Sequence, residues 1–202
     1  MSTRSYVSLV RTAAAAEKRD RVIEAAAGLL REESGVAGFS LEAVAKVAGV
    51  TRLTVYHQFG SRRGLLEAVF DEIAQRGRLS RLREVRTDAD PRRGLNQLIG
   101  IFCEFWSGDP AVARLQDAAV LDAEFDQILT ERHGRRRKSL EILVSRIAPA
   151  ASAEMQCETV DLIFALTSFA MFRMLIPARS AEAVRTLIED MAGAAIDRIA
   201  PN

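Results

Sequence analysis

Side chains that bind metals or carry out covalent chemistry are scarce in this sequence. Of its 202 residues only two are cysteines, Cys103 and Cys157, and two are histidines, His57 and His133. The cysteines lie too far apart in sequence for metal-ligand spacing and are too few for a disulfide framework. They are expected to be buried thiols in a reducing cytoplasm. There is no glycine-rich phosphate loop, no metal-ligand spacing and no nucleophile motif. An enzyme is therefore not expected, nor is a cofactor or a metal. Prolines number only five, and no segment alternates apolar and polar residues as a half-buried strand does. No run reaches the roughly 18 uncharged apolar residues that a membrane span requires. The first sixteen residues lack an apolar stretch long enough for a signal peptide, so the expected location is the cytoplasm, with no membrane partner. Net charge is also small, at +1, so no overall basic character announces a polyanionic partner.

The charge that is present is unevenly placed. Residues 1–64 hold ten Lys/Arg and six Asp/Glu, and the rest hold eighteen and twenty-one, so a +4 segment precedes a −3 remainder. A positive N-terminal third suits one end that faces phosphate. Residues 1–16, with Arg4 and Arg11, are expected to form a flexible arm. From Lys18 to Glu33 apolar residues recur at spacings of three and four, the pattern of an amphipathic helix. Ser40 then caps a short helix from Leu41 to Ala48, Gly49 breaks it, Thr51 caps a second to about Phe59, and Ser61 caps a longer one to about Arg76. Residues 77–90 are charged and are expected to be the end of a connecting helix followed by a loop. Pro91 starts a helix that ends at Gly108, and Asp109-Pro110 starts another short one. Long helices are expected over 121–147, 152–176 and 180–199.

The segment Ser40 to Leu66 carries the functional signal. Two short amphipathic helices meet at Ala48-Gly49-Val50, where the tight turn needs an unhindered backbone. Val44, Ala45, Val55 and Phe59 would form their shared core. Arg52, Leu53, Tyr56 and His57 are then left on the open side. A helix presenting these residues and threonine, with no carboxylate, suits a polyanion.

This segment closely resembles the helix-turn-helix DNA-binding domain of TetR-type transcriptional regulators. The matching residues are Ser40, Ala45, Ala48-Gly49-Val50-Thr51, Thr54-Val55-Tyr56, Phe59, Ser61, Arg62 and Leu65-Leu66, within a resemblance covering about residues 17–70. It implies an all-α fold of about nine helices. A flexible arm (1–16) would precede a helix-turn-helix domain (17–62), a connecting helix (61–76) and a larger ligand-binding and dimerisation domain (77–202). It also implies roles. Ser40 and Thr51 cap the two helices, and Thr51 lies near phosphate. Arg52 and Leu53 read base edges, Thr54 and Tyr56 bond the phosphate backbone, and His57 and Gln58 end the groove-facing side. Arg62 stands where the family usually has a phosphate-holding lysine, and arginine keeps that charge. Two residues depart from the pattern. Gly64 replaces an acidic or larger residue, which should loosen the first turn of its helix. Glu42 lies where a carboxylate would repel phosphate and is expected to serve the helix start instead.

The resemblance makes the chain a homodimer paired through helices near 152–176 and 180–199, gripping a palindromic double-stranded operator as a repressor. A small, mostly apolar effector would release it. Phe102, Phe105, Trp106, Leu121, Phe125, Leu143, Phe164 and Phe172 are the candidate pocket residues. Arg173 interrupts the most apolar helix and should need a partner such as Asp161, a ligand anion or the other subunit. Arg135-Arg136-Arg137-Lys138 is expected to be a solvated face. Two alternatives remain: a ligand-independent activator or architectural DNA binder, and a helical enzyme or binding protein with a vestigial motif.

Overall fold

The computed structural model describes the backbone of residues 3–32 and 35–200, and side chains from residue 13 onward within those spans. Among these residues the chain forms twelve α-helices and two short 3-10 turns, without a strand. Contacts divide it into two compact units, one made of residues through Ile73 with Pro110–Asp126, the other of Ala74–Asp109 with Gln127 onward.

The first unit begins with α1 (Thr3–Arg31), followed by α2 (Gly35–Gly38), α3 (Leu41–Ala48), α4 (Arg52–Phe59) and most of α5 (Arg62–Arg76). Helix α1 starts well before Lys18, so most of the segment expected to be an arm is helical. The run Ala13 to Ala16 is the strongest available helix former and favours continuation toward the N-terminus. The side chains of Arg4 and Arg11, and residues Glu33 and Ser34, lie outside the described part. Val22, Ala26 and Leu30 of α1, Val44 of α3, Val55 of α4 and Leu65, Leu66 and Val69 of α5 are all closed to solvent, with α3 packed on both α1 and α4. Helix α8 (Pro110–Leu121) also belongs to this unit and packs on α1 and α2. It buries Ala111, Val112, Leu115, Ala118 and Ala119, small enough along most of the face for close helix approach. The sequence division at residue 77 did not foresee this return of the chain.

In the second unit, α7 (Pro91–Gly108) packs against α6 (Leu82–Val85), α11 (Phe169–Leu175) and α12 (Ala181–Asp197), and α12 packs in turn on α10 (Ala153–Leu166). Pro91 stands at the first helical position as expected, and Asp90 caps the helix by accepting from the amides of Arg92 and Arg93 at 2.9 and 3.3 Å. The buried face of α7 carries Leu95, Leu98, Ile99, Phe102, Phe105 and Trp106. In the charged stretch 77–90 a 3-10 turn (Leu79–Arg81) leads into α6. Helix α9 runs Ala123–Ile147 and α12 starts after its cap Ser180, whose Oγ accepts from the Ala183 amide at 3.2 Å.

The expected helix 152–176 is broken. Helices α10 and α11 meet at a bend of 52°. Thr167 Oγ1 donates back to the Ile163 carbonyl at 2.9 Å and Ser168 Oγ accepts from the Met171 amide at 3.2 Å, so one hydroxyl ends a helix and the next starts another. Among the described residues no single helix is long and apolar enough to cross a membrane.

Three side chains in this unit are placed otherwise than expected. Arg136 is buried, with 2% of its surface exposed, although its neighbours Arg135 and Lys138 are exposed. Arg173 is exposed, so the apolar run does not bury it. Asp161 pairs with Arg137 instead. Cys157 is exposed while Cys103 is buried, and burial pushes the Cys103 thiol up to about 11. Thiolate is the reactive form. A thiol reagent at pH 8 should therefore add one label, on Cys157, to the folded protein and two after denaturation, as read by intact mass. Two labels under native conditions would contradict this arrangement.

Candidate DNA interface

The helix-turn-helix is built by caps and by a glycine turn. Ser40 has an extended backbone, and its Oγ accepts from the Ala43 amide at 3.1 Å, satisfying one of the free donors at the start of α3. Gly49 ends α3 with φ 65°, a left-handed conformation that costs glycine little. Val50 turns its amide back to the Ala45 carbonyl at 3.0 Å. Thr51 then opens α4, accepting from the Thr54 amide at 3.1 Å while its hydroxyl meets that of Thr54 at 2.9 Å. The two threonines are thus tied to each other at the start of the helix.

Helix α4 is anchored by one side. Val55 is fully buried, whereas Leu53 and Tyr56 are 61% and 55% exposed, and Arg52 and His57 are exposed as well. By the helical period Leu53 and His57 lie opposite Val55, Tyr56 flanks that face, and Arg52 stands at the helix start. No carboxylate occurs on α4, and the positive end of the helix dipole lies at Thr51 and Arg52. A surface of guanidinium, phenol, imidazole and threonine hydroxyl, free of negative charge, can hydrogen-bond phosphate oxygens and base edges.

Not all the residues singled out from the sequence share that face. Gln58 is half-buried, and its Oε1 is enclosed without a hydrogen-bond partner among the described residues. Arg62 is half-buried and turned toward α2. Its Nε donates to the Phe39 carbonyl at 3.2 Å, an Nη donates to the Val36 carbonyl at 3.4 Å, and the guanidinium lies 5.4 Å from the Phe39 ring centroid. In this structure Arg62 therefore fixes the end of α2 against the start of α5. Glu42 is exposed in the first turn of α3.

Two supports escaped sequence reasoning. The Arg19 guanidinium lies 4.6 Å from the centroid of the Phe59 ring, tying α1 to the end of α4. Their separation of 40 positions gives no local pattern. Gly64 is a close-approach site, not a loosened turn. A Cβ there would lie 2.1 Å from the Phe59 carbonyl oxygen, so only glycine lets α5 begin this near the end of α4. Ser61 Oγ caps that start by accepting from the Gly64 amide at 3.0 Å.

The candidate pocket residues are spread over both units. Leu121 and Phe125 belong to the first, where Leu121 is 78% exposed at the end of α8 and Phe125 is buried. In the second unit Phe102, Phe105, Trp106, Leu143 and Phe172 are buried and Phe164 is half-buried. The Trp106 ring lies 5.7 Å from that of Phe102 and 4.9 Å from that of Phe105. Exposed Leu121 and exposed Arg173 do not fit the enclosed lining proposed for them.

Comparison with known proteins agrees with this geometry. The family described as bacterial regulatory proteins, tetR family, matches residues 22–69. Over 162 residues the chain is 28% identical to a probable HTH-type transcriptional regulator, ArpR, of Pseudomonas putida, covering 69% of this chain and 77% of that one. A crystal structure of a TetR-family transcriptional regulator from Rhodococcus sp. superposes with a TM-score of 0.68 at 24% identity, covering 91% of this chain and 98% of the other. The regulator FadR from Bacillus subtilis, crystallised with stearoyl-CoA, superposes with a TM-score of 0.72 at 17% identity over 88% of this chain and 98% of that one.

Proposed function

The chain is a TetR-type regulator, and from that premise we propose that it binds a palindromic operator as a homodimer, represses from it, and is released by a small ligand held in its second unit. The observation that carries the DNA-binding part is the open face of α4, with Arg52, Leu53, Tyr56 and His57 outward and Val55 inward. One such helix makes few base contacts, and specific sites are read by two-fold pairs spaced by about one turn of DNA.

A surface suited to pairing lies on α10 and α12. Met155 and Leu162 stand one heptad apart on α10, 40% and 44% exposed, and Met191 of α12 is 47% exposed. Met155 and Leu162, with Glu158, Thr159, Ala195, Arg198 and Ile199, border a groove between the ends of the two helices. Scattered exposed apolar residues mean little, but a stripe shared by adjacent helices favours burial against a second copy. For release, the aromatic interior of the second unit supports an organic ligand, and FadR provides a fold relative that binds one. Ligand and DNA would each favour a different spacing of the two α4 helices. Linkage then requires DNA to weaken ligand binding by the factor with which ligand weakens DNA binding.

The test is to select bound duplexes from random DNA and measure affinity for the selected operator and for an unrelated duplex. Arg52→Ala should lose about 1–3 kcal/mol, roughly 5- to 150-fold, on the operator alone, as expected of a residue contacting a base edge. Tyr56→Phe should weaken both duplexes alike, by about 0.5–1.5 kcal/mol, as expected of a phosphate contact. Equal losses from Arg52→Ala on both duplexes would remove the base-reading role, and failure to enrich any duplex would remove the function.

A further inference from the structure

The second unit contains a buried cation with no carboxylate opposite it among the described residues. Arg136 of α9 is 2% exposed. One of its Nη atoms donates to the Thr167 carbonyl at 2.9 Å, while its Nε has no hydrogen-bond partner among the described residues. Its guanidinium lies 4.2 Å from the centroid of the Phe164 ring and 5.1 Å from that of Phe102. Trp106 Nε1 donates to the same Thr167 carbonyl at 3.0 Å. The charge is thus held by one carbonyl, already shared with another donor, and by two ring faces.

That arrangement leaves the cation under-compensated. Ring contacts return only part of what it costs to remove a charge from water. Burial is the sole cause that moves the Arg136 pKa, lowering it to about 10, so it stays charged at neutral pH. A well-packed methionine would fill such a position at less cost. A buried arginine kept without its carboxylate, and keeping an unused N–H, has a planar fork that suits one carboxylate group.

We propose that Arg136 is the anchor for the carboxylate of an amphipathic monocarboxylic acid, whose apolar body packs among Phe102, Trp106 and Phe164. The carboxylate takes the Nε hydrogen and a second guanidinium hydrogen side by side. This deepens the effector part of the preceding proposal and depends on the second unit being the ligand-binding unit. It also explains why an arginine occurs among exposed Arg135, half-buried Arg137 and exposed Lys138 with a different fate from theirs.

Trp106 is the only tryptophan in the chain. Intrinsic emission therefore reports on the carbonyl it shares with Arg136. The experiment uses the full-length protein, the straight-chain carboxylates from hexanoate to dodecanoate, 2-naphthoate, and the neutral primary amide of each, at constant ionic strength. Melting temperature and, for the alkyl probes, Trp106 emission are followed. At least one carboxylate should raise the melting temperature by about 5 °C at a hundredfold excess over its Kd, with an emission change for an alkyl probe, while its amide does neither. Arg136→Met should abolish both responses and leave the ligand-free protein at least as stable as wild type. Arg136→Lys, which keeps the charge without the fork, should bind at least tenfold more weakly.

No response to any carboxylate, equal responses to the amides, or an undiminished response in Arg136→Met would overturn the assignment. So would a ligand-free Arg136→Met protein several degrees less stable than wild type, since the arginine would then serve to brace the Thr167 carbonyl. Operator affinity, measured in parallel, separates this proposal from the one beneath it. A carboxylate that binds through Arg136 yet leaves operator affinity unchanged supports the anchor and removes the release mechanism. A neutral probe that frees the operator equally from wild type and Arg136→Met keeps the release mechanism and overturns the anchor.

Discussion

Leu162→Glu is expected to turn dimers into folded monomers and to weaken operator binding by about 10²- to 10⁴-fold. Leu162 is 44% exposed on α10, so the substitution removes little from the core of its own chain. In the proposed pair the same position is enclosed, with Met155 beside it in the same groove. A carboxylate buried there without a partner costs about 3–5 kcal/mol. Two copies meet across a two-fold axis, so each monomer brings one such charge to the contact. The effect on DNA exceeds the effect on any single contact because the second half-site is bound intramolecularly. Losing the partner loses an effective concentration in the millimolar range and the gain that goes with it. Met174→Glu is the control. Met174 is 69% exposed on α11, away from the groove, and its replacement should leave both association and DNA binding unchanged. Sedimentation and operator titration decide the matter. A Leu162→Glu protein that still sediments as a dimer would place the pairing surface elsewhere.

The helix-turn-helix was legible in the sequence because its determinants are local. Ser40, Gly49 and Thr51 act within four residues of where they stand, through caps and a left-handed turn. The outward placement of Leu53, Tyr56 and His57 followed from the period of a helix once Val55 was taken as inward. The rest of the chain was harder because its determinants act over long separations. Periodicity could not show that α8 returns to α1 and α2, since small buried residues such as Ala111 and Ala118 give a weak amphipathic signal. The break at Thr167 and Ser168 lay hidden in an apolar run, although two adjacent hydroxyls there were a usable sign. Arg136 and Arg173 exchanged their expected fates for one reason. Charge patterning along one helix says which residue types are present, while the packing of Phe102 and Phe164 around α9 decides which charge is enclosed.

Gly64 illustrates how a three-dimensional contact reverses the sign of a sequence-based expectation. In a helix interior, alanine is favoured over glycine by about 0.8–1.0 kcal/mol, and by that rule Gly64→Ala should stabilise. The added Cβ, however, would lie 2.1 Å from the Phe59 carbonyl oxygen and 3.3 Å from its carbon. Both are backbone atoms at the end of α4, and the Ser61 amide already donates to that oxygen at 2.8 Å. Neither a rotamer change nor a flexible tip can relieve the overlap. Helix α5 would have to move off the end of α4, disturbing fully buried Leu65 and Leu66 in its next turn. Overpacking of this kind costs about 1–3 kcal/mol, which outweighs the propensity gain. Gly64→Ala should therefore lower the melting temperature by about 3–10 °C and weaken operator binding through displaced α4. Gly28 offers the opposite case within the same unit. It lies in α1 with nothing within 4 Å of an added Cβ, so Gly28→Ala should raise the melting temperature by about 1–3 °C. Thermal unfolding followed by circular dichroism tests both. A shift in the same direction for the two variants would mean that propensity, and not the contact with Phe59, governs the start of α5.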